Sequence, residues 1–291
     1  MNFLTNLING LSLGSICALI ALGYTMVYGI AKMLNFAHGD VIMVGAYMSY
    51  CSTAYLGLPA PAGILIAVVV CTVRGIVIEG LAYKPLRRAG ALAVLITAIG
   101  VSYFLQNSAL LIWGSAAKVF SSVVPFGPLG IGQLIISGES IVAILTNIVI
   151  MVALTVFTKR TKMGKAMRAV SEDKDAAGLM GISVNRTISV TFAIGSALAA
   201  IAGVLLCSSY PMLQPTTGSM PGIKAFTAAV FGGIGSIPGA MLGGLLLGVI
   251  EVFAKSYVST ELSDAIVFGV LIIVLLVKPT GLLGKKIAEK V

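Results

Sequence analysis

His38 stands two residues before Asp40, and an imidazole beside a carboxylate is the smallest arrangement that does acid–base chemistry. No further catalytic residue type is clustered with them. His38 is the single histidine, which excludes an HExxH zinc site, a histidine cluster and repeated haem ligation. Cys17, Cys51, Cys71 and Cys207 lie inside apolar runs without CxxC spacing and read as small buried residues. The nearest approach to a phosphate loop, GLLGKK from Gly281 to Lys286, has the wrong spacing for GxxxxGK[ST]. The sequence thus predicts no metal, no cofactor and no catalytic set of its own. Any nucleotide chemistry must belong to a partner.

A second cluster has a mechanical rather than a chemical pattern. The 28 residues from Lys159 to Arg186 hold 10 charges, which makes them a long water-exposed segment. Met163, Met167, Val170 and Ala177 recur there at helical spacing, predicting a short amphipathic helix. It runs into Asp175, Ala176, Ala177 and, after three residues, Gly181. Acidic-Ala-Ala-x-x-x-Gly resembles the coupling loop by which ATP-binding-cassette permeases dock on their ATPases. Two alanines let a helix sit deep in a partner's groove, and the glycine turns the chain. Asp175 replaces the Glu of the broader motif, and its downstream I-x-L-P is absent. An amphipathic helix lying on anionic lipid is the competing reading.

The elements that position these clusters are membrane helices. Of 291 residues, 58% are apolar and only 10% charged, with a mean hydropathy of +1.05. A soluble domain is about a quarter charged, so the fold class expected is an all-α polytopic membrane protein forming a single transmembrane domain over 1–291. Charge-free runs predict crossings at 4–30, 41–58, 61–82, 91–113, 140–158, 187–210 and 262–277. The first is too long for a signal-peptide core and lacks a basic flank. Residues 118–139 carry two prolines and four glycines, and short alternation around Phe126 to Gly130 predicts an external hairpin.

Net charge of +9 would suggest nucleic acid for a soluble chain; here its distribution gives orientation, and no nucleic-acid partner is expected. Fifteen of the 19 basic residues fall in the loops at Lys32, Lys84 to Arg88, Lys159 to Arg186 and the tail from Lys278. Placing those loops in the cytoplasm puts the N-terminus outside and the C-terminus inside, which requires an odd number of crossings. Residues 223–256 must then enter and leave on one face, as a re-entrant Gly-rich helix pair. Gly232, Gly233, Gly235, Ser236, Pro238 and Gly239 supply the interruption. Asn35, Phe36, Ala37, His38, Gly39 and Asp40 form a similar interruption near the start. The expected translocation pathway lies between the two, along Asn35, Phe36, His38, Gly39, Gly232, Gly233, Gly235 and Ser236. Arg74, about 15 Å inside its helix end, should face protein or water, and Glu79 should pair with another helix.

The strings NGLSLGSICALIALGYTMVYGIAKMLNFAHGDVIMVGAY, LAYKPLRR, DAAGLMGI, FGGIGSIPGAMLGGLLLG and KPTGLLGKK, spread over the whole chain, resemble the LivH-type permease subunit of branched-chain amino acid ABC importers. The resemblance implies a bacterial inner-membrane location, a second homologous permease subunit, two cytoplasmic ATPases and an extracytoplasmic substrate-binding protein. It implies leucine, isoleucine or valine as substrate, with other amino acids, urea or short amides as alternatives. Asp175, Ala176, Ala177 and Gly181 would be the ATPase-coupling residues. An ion-coupled secondary transporter, working as a single chain, is the reading from another class.

Overall fold

A computed structural model describes residues 2–284 apart from positions 88, 126, 132 and 133. In chain order the helices are α1 (Asn2–Ala31), α2 (His38–Ala54), α3 (Ala60–Ile78), α4 (Ala91–Trp113), α5 (Gly138–Arg160), α6 (Lys162–Glu172) and α7 (Lys174–Leu179). They are followed by α8 (Val184–Ser209), α9 (Ser219–Gly232), α10 (Ile237–Tyr257) and α11 (Ser263–Val277). A π-helical turn, Glu79–Tyr83, continues α3. Among the described residues, α1, α3 with that turn, α4, α5, α8 and α10 are the six helices long and apolar enough to cross a bilayer. Helices α2, α9 and α11, of 17, 14 and 15 residues, are shorter.

Helix α1 is the axis of the molecule and is almost wholly buried, packing most extensively on α10 and then on α8. Small residues allow this. A Cβ on Gly248 would lie 2.2 Å from the Gly14 backbone, and one on Gly244 would lie 2.4 Å from Ala18. Backbone approach of this kind packs membrane helices where apolar burial alone gives no net drive. At the periphery the pattern reverses. Leu65, Val69 and Val73 of α3, Ile96 and Phe104 of α4, and Ile272, Ile273 and Leu276 of α11 are exposed, as lipid-facing helices require.

Helices α9 and α10 form an antiparallel pair around the predicted glycine interruption. A Cβ on Gly232 would lie 1.9 Å from the Gly239 carbonyl, and one on Gly243 would lie 2.2 Å from the Ala228 carbonyl. Toward the other end Lys224 of α9 pairs with Glu251 of α10 at 2.8 Å and with Asp264 of α11 at 2.6 Å, while Lys255 pairs with Glu251 at 2.6 Å. The C-terminal segment then closes over the interruption: Leu282 and Leu283 donate their amides to the Phe231 and Gly232 carbonyls, each at 2.9 Å. These bonds satisfy acceptors that the end of α9 leaves without intrahelical partners.

The differences from the sequence expectation have local causes. Helix α2 begins at His38, so His38 and Gly39 are its first residues rather than part of an unwound break, and it ends at Ala54, before Gly57 (φ +63°) and Pro59. The single amphipathic helix expected after Lys159 is two helices, because Asp173 is extended and caps α7 by accepting from the amides of Asp175 and Ala176. The expected hairpin is present as antiparallel β2 (Leu129–Ile131) and β3 (Leu134–Ile136), a little beyond the expected centre; Phe126 lies outside the described residues. Strand β1 (Lys118–Val119) pairs with β4 (Met212–Leu213) and joins two loops distant in sequence, a contact no local pattern encodes.

Candidate functional site

The two interruptions, 196 residues apart at Phe36 and Gly232, meet in space. Helix α1 ends at Ala31; Lys32 takes a left-handed conformation (φ +57°) and the chain runs without regular structure to α2. Asn35, buried, accepts a 2.8 Å hydrogen bond from the Tyr83 hydroxyl. Phe36 lies 5.7 Å from Phe226 of α9, and Phe226 is in turn 5.8 Å from Tyr24. His38, only 2% exposed, packs edge-on to Tyr24 at 4.6 Å, and its Nε2 occupies the space that a side chain on Gly23 would fill. Gly39 packs on Gly218 and Gly222 at the start of α9.

On the other side of the junction, Gly233 (φ +103°) and Gly235 (φ +92°) adopt backbone that other residues rarely take. Gly235 approaches Gly29, two residues before the end of α1. Ser236 caps α10, accepting from the Gly239 amide at 3.2 Å. A cavity of about 10 Å³ remains, bordered by Tyr24, Asn35, His38, Phe226 and Ile234. That is room for about one water, so the junction is closed. The cavity is bordered by the first residue of α2, His38, whose end of the helix carries partial positive charge, and by Ile234 of the connector between α9 and α10.

The surrounding charges are held in place. Asp40, in the first turn of α2, accepts from Ser102 and from Gln106, and Gln106 also donates to Ser219 of α9 at 3.2 Å. Arg74 is half-buried and interacts electrostatically with Asp40, so it faces protein. Glu79 pairs with Arg87 and accepts from Ser189 of α8 at 2.6 Å, the inter-helix partnership its position predicts.

The charged segment places its residues differently. Asp175 and Ala176 are exposed, whereas Ala177 is buried, so the second alanine of the motif turns inward. The outermost side chains are Leu179 and Met180, 90% and 82% exposed, followed by Gly181 at φ +80°. Sequence reading passed over this apolar tip, although two large apolar residues inside a charged loop are a signal in themselves. It also passed over Lys174, whose ammonium donates to the Ala31 carbonyl at 2.7 Å and so joins α7 to the end of α1. Burial, with Arg87 and Lys32 nearby, holds the Lys174 pKa below the usual lysine range, and Asp175 partly opposes this.

With this arrangement in view, the comparisons with known proteins give a consistent answer. The family model described as branched-chain amino acid transport system / permease component matches residues 6–275. The chain belongs to that permease family. It is 46% identical to the high-affinity branched-chain amino acid transport system permease protein BraD of Pseudomonas aeruginosa, covering 100% of this chain and 98% of the relative. It is 47% identical to the permease protein LivH of Escherichia coli K12, covering 99% and 98%. A more distant similarity, at 28% identity over 93% of this chain, is to a probable branched-chain amino acid transport permease of Methanocaldococcus jannaschii. Among solved structures, PsaBC from Streptococcus pneumoniae in complex with Fab is similar in fold, with a TM-score of 0.50 and 14% identity over 94% of this chain and 91% of that one.

Proposed function

We propose that the chain is the permease subunit of an ATP-binding-cassette importer for leucine, isoleucine and valine in a bacterial inner membrane. The observation that carries the reading is 46–47% identity, over essentially the full length, to permeases named for branched-chain amino acid transport. The subunit performs no catalysis. It works as one transmembrane domain with a second homologous permease subunit, two cytoplasmic ATPases and an extracytoplasmic substrate-binding protein. Helices α1 to α5, α8 and α11 make seven crossings, with the N-terminus outside and the C-terminus in the cytoplasm. The α9–α10 pair enters from the outer face and returns to it.

The coupling segment is α6 and α7, with Leu179 and Met180 as the apolar tip that seats in an ATPase groove and Gly181 turning the chain away. Movement of α7 reaches α1 through the Lys174 contact with Ala31, and from there the 32–37 segment. Opening of the junction between that segment and 233–236 alternates access to the pathway. A zwitterion with an apolar side chain needs apolar walls and dipoles without fixed charge, and the start of α2 at His38 together with the backbone of the two interruptions can supply the dipoles. Reconstitution with the second permease, the ATPases and the binding protein should give ATP hydrolysis stimulated by leucine, isoleucine or valine. No stimulation by any of the three would sink the substrate assignment.

A further inference from the structure

A second cavity, of about 230 Å³, lies on the other side of the aromatic junction. Its apolar wall is formed by Leu13, Ile16, Cys17 and Ile20 of α1 and by Leu206 of α8. Ile20 is one helical turn from Tyr24, so the cavity floor adjoins the closed junction. Its polar end holds Lys224, Glu251 and Lys255. The side chains of Lys224 and Glu251 are 14% and 5% exposed, while that of Lys255 is 35% exposed and stands at the edge. Both ammonium groups are paired to the same oxygen of Glu251, Oε1.

We infer that this cavity is a holding site for one amino acid with a branched aliphatic side chain. The inference rests on the proposed import function and deepens it by naming the site. The chemistry is complementary at both ends of such a ligand: Lys255 takes its carboxylate, the second oxygen of Glu251 takes its ammonium, and the α1 wall takes its side chain. The size agrees. A cavity of about 150 Å³ accommodates the six heavy atoms of benzene, which scales to about nine at 230 Å³, the count in leucine or isoleucine. Buried charges of both signs beside an apolar wall are costly to keep for packing alone, and a zwitterion uses both.

The test is the selectivity of the fully assembled importer, measured as the ratio of KM for leucine to KM for valine. Cys17→Leu adds bulk to the apolar wall and should raise that ratio about tenfold, the discrimination a pocket draws from one methylene. Leu206→Ala enlarges the same wall and should move the ratio the opposite way and admit phenylalanine. Misfolding lowers uptake of both substrates together and cannot invert a ratio, so the pair of variants separates a site from a packing fault. Glu251→Gln should raise both KM values about tenfold with the ratio unchanged. An unaltered ratio in both wall variants overturns the site while leaving the importer reading intact. A wild-type importer that takes up neither leucine nor valine overturns the proposed function, and this assignment with it.

Discussion

Lys174 joins the exposed helix α7 to a buried helix end, because its ammonium meets the Ala31 carbonyl where α1 stops. A cation at a helix C-terminus is favoured by the unpaired carbonyls and the partial negative charge there. Lys174→Met should leave the ATPases attached but cut leucine uptake per ATP hydrolysed about tenfold, while Lys174→Arg retains most of it; paired uptake and hydrolysis assays check this. The pH dependence has a definite sign. Because burial lowers this pKa from the ordinary 10.5, the proton is lost at lower pH than for a free lysine, and transport should decline on the alkaline side. Lys174→Arg, which stays charged, should shift that decline upward, as a pH profile of uptake in proteoliposomes would record. The contact was hidden in the sequence because Lys174 and Ala31 are 143 positions apart. His38 and Asn35 were legible as unusual residues in an apolar chain. Their partners Tyr24 and Tyr83 were not, since a tyrosine in an apolar run carries no sign of what its ring or hydroxyl meets.

At the scale of elements, what decides stability is how closely α1 and α10 approach. Gly248→Leu would force a side chain into the Gly14 backbone and should destabilise the protein by about 1–3 kcal/mol, read as lower thermal stability in detergent. Most helices were readable from charge-free runs: α4 spans Ala91–Trp113 where 91–113 was expected, and α5 extends the expected 140–158 by two residues at each end. Lipid-facing helices must be apolar on their outer faces and core helices on their inner ones, so hydropathy marks both. The π-helical turn at Glu79–Tyr83 was not readable; the partners of its Tyr83, Asn35 and Phe192, are distant in sequence. The division of α6 from α7 was visible in principle, in an Asp173 able to cap the residues after it.

At the scale of the whole molecule, the basic loops should lie in the cytoplasm. A green fluorescent protein fused to the C-terminus should therefore fluoresce, and alkaline phosphatase fused before α1 should be active; the opposite pair of results would reverse the orientation. The molecule also has unequal sides. Peripheral helices α4 and α5, of 23 residues each, rise about 35 Å, whereas α11 has 15 residues and rises about 22 Å, less than a hydrocarbon core of about 30 Å. Lipid beside α11 must compress or the helix must bring its flanks inward, while lipid beside α4 and α5 need not. The apolar span is thus shorter along α11 than along α4 and α5. Helix α11 leads into the segment that closes over the α9–α10 interruption, so on the proposed mechanism a change of acyl-chain length should load the same junction that the coupling segment acts on.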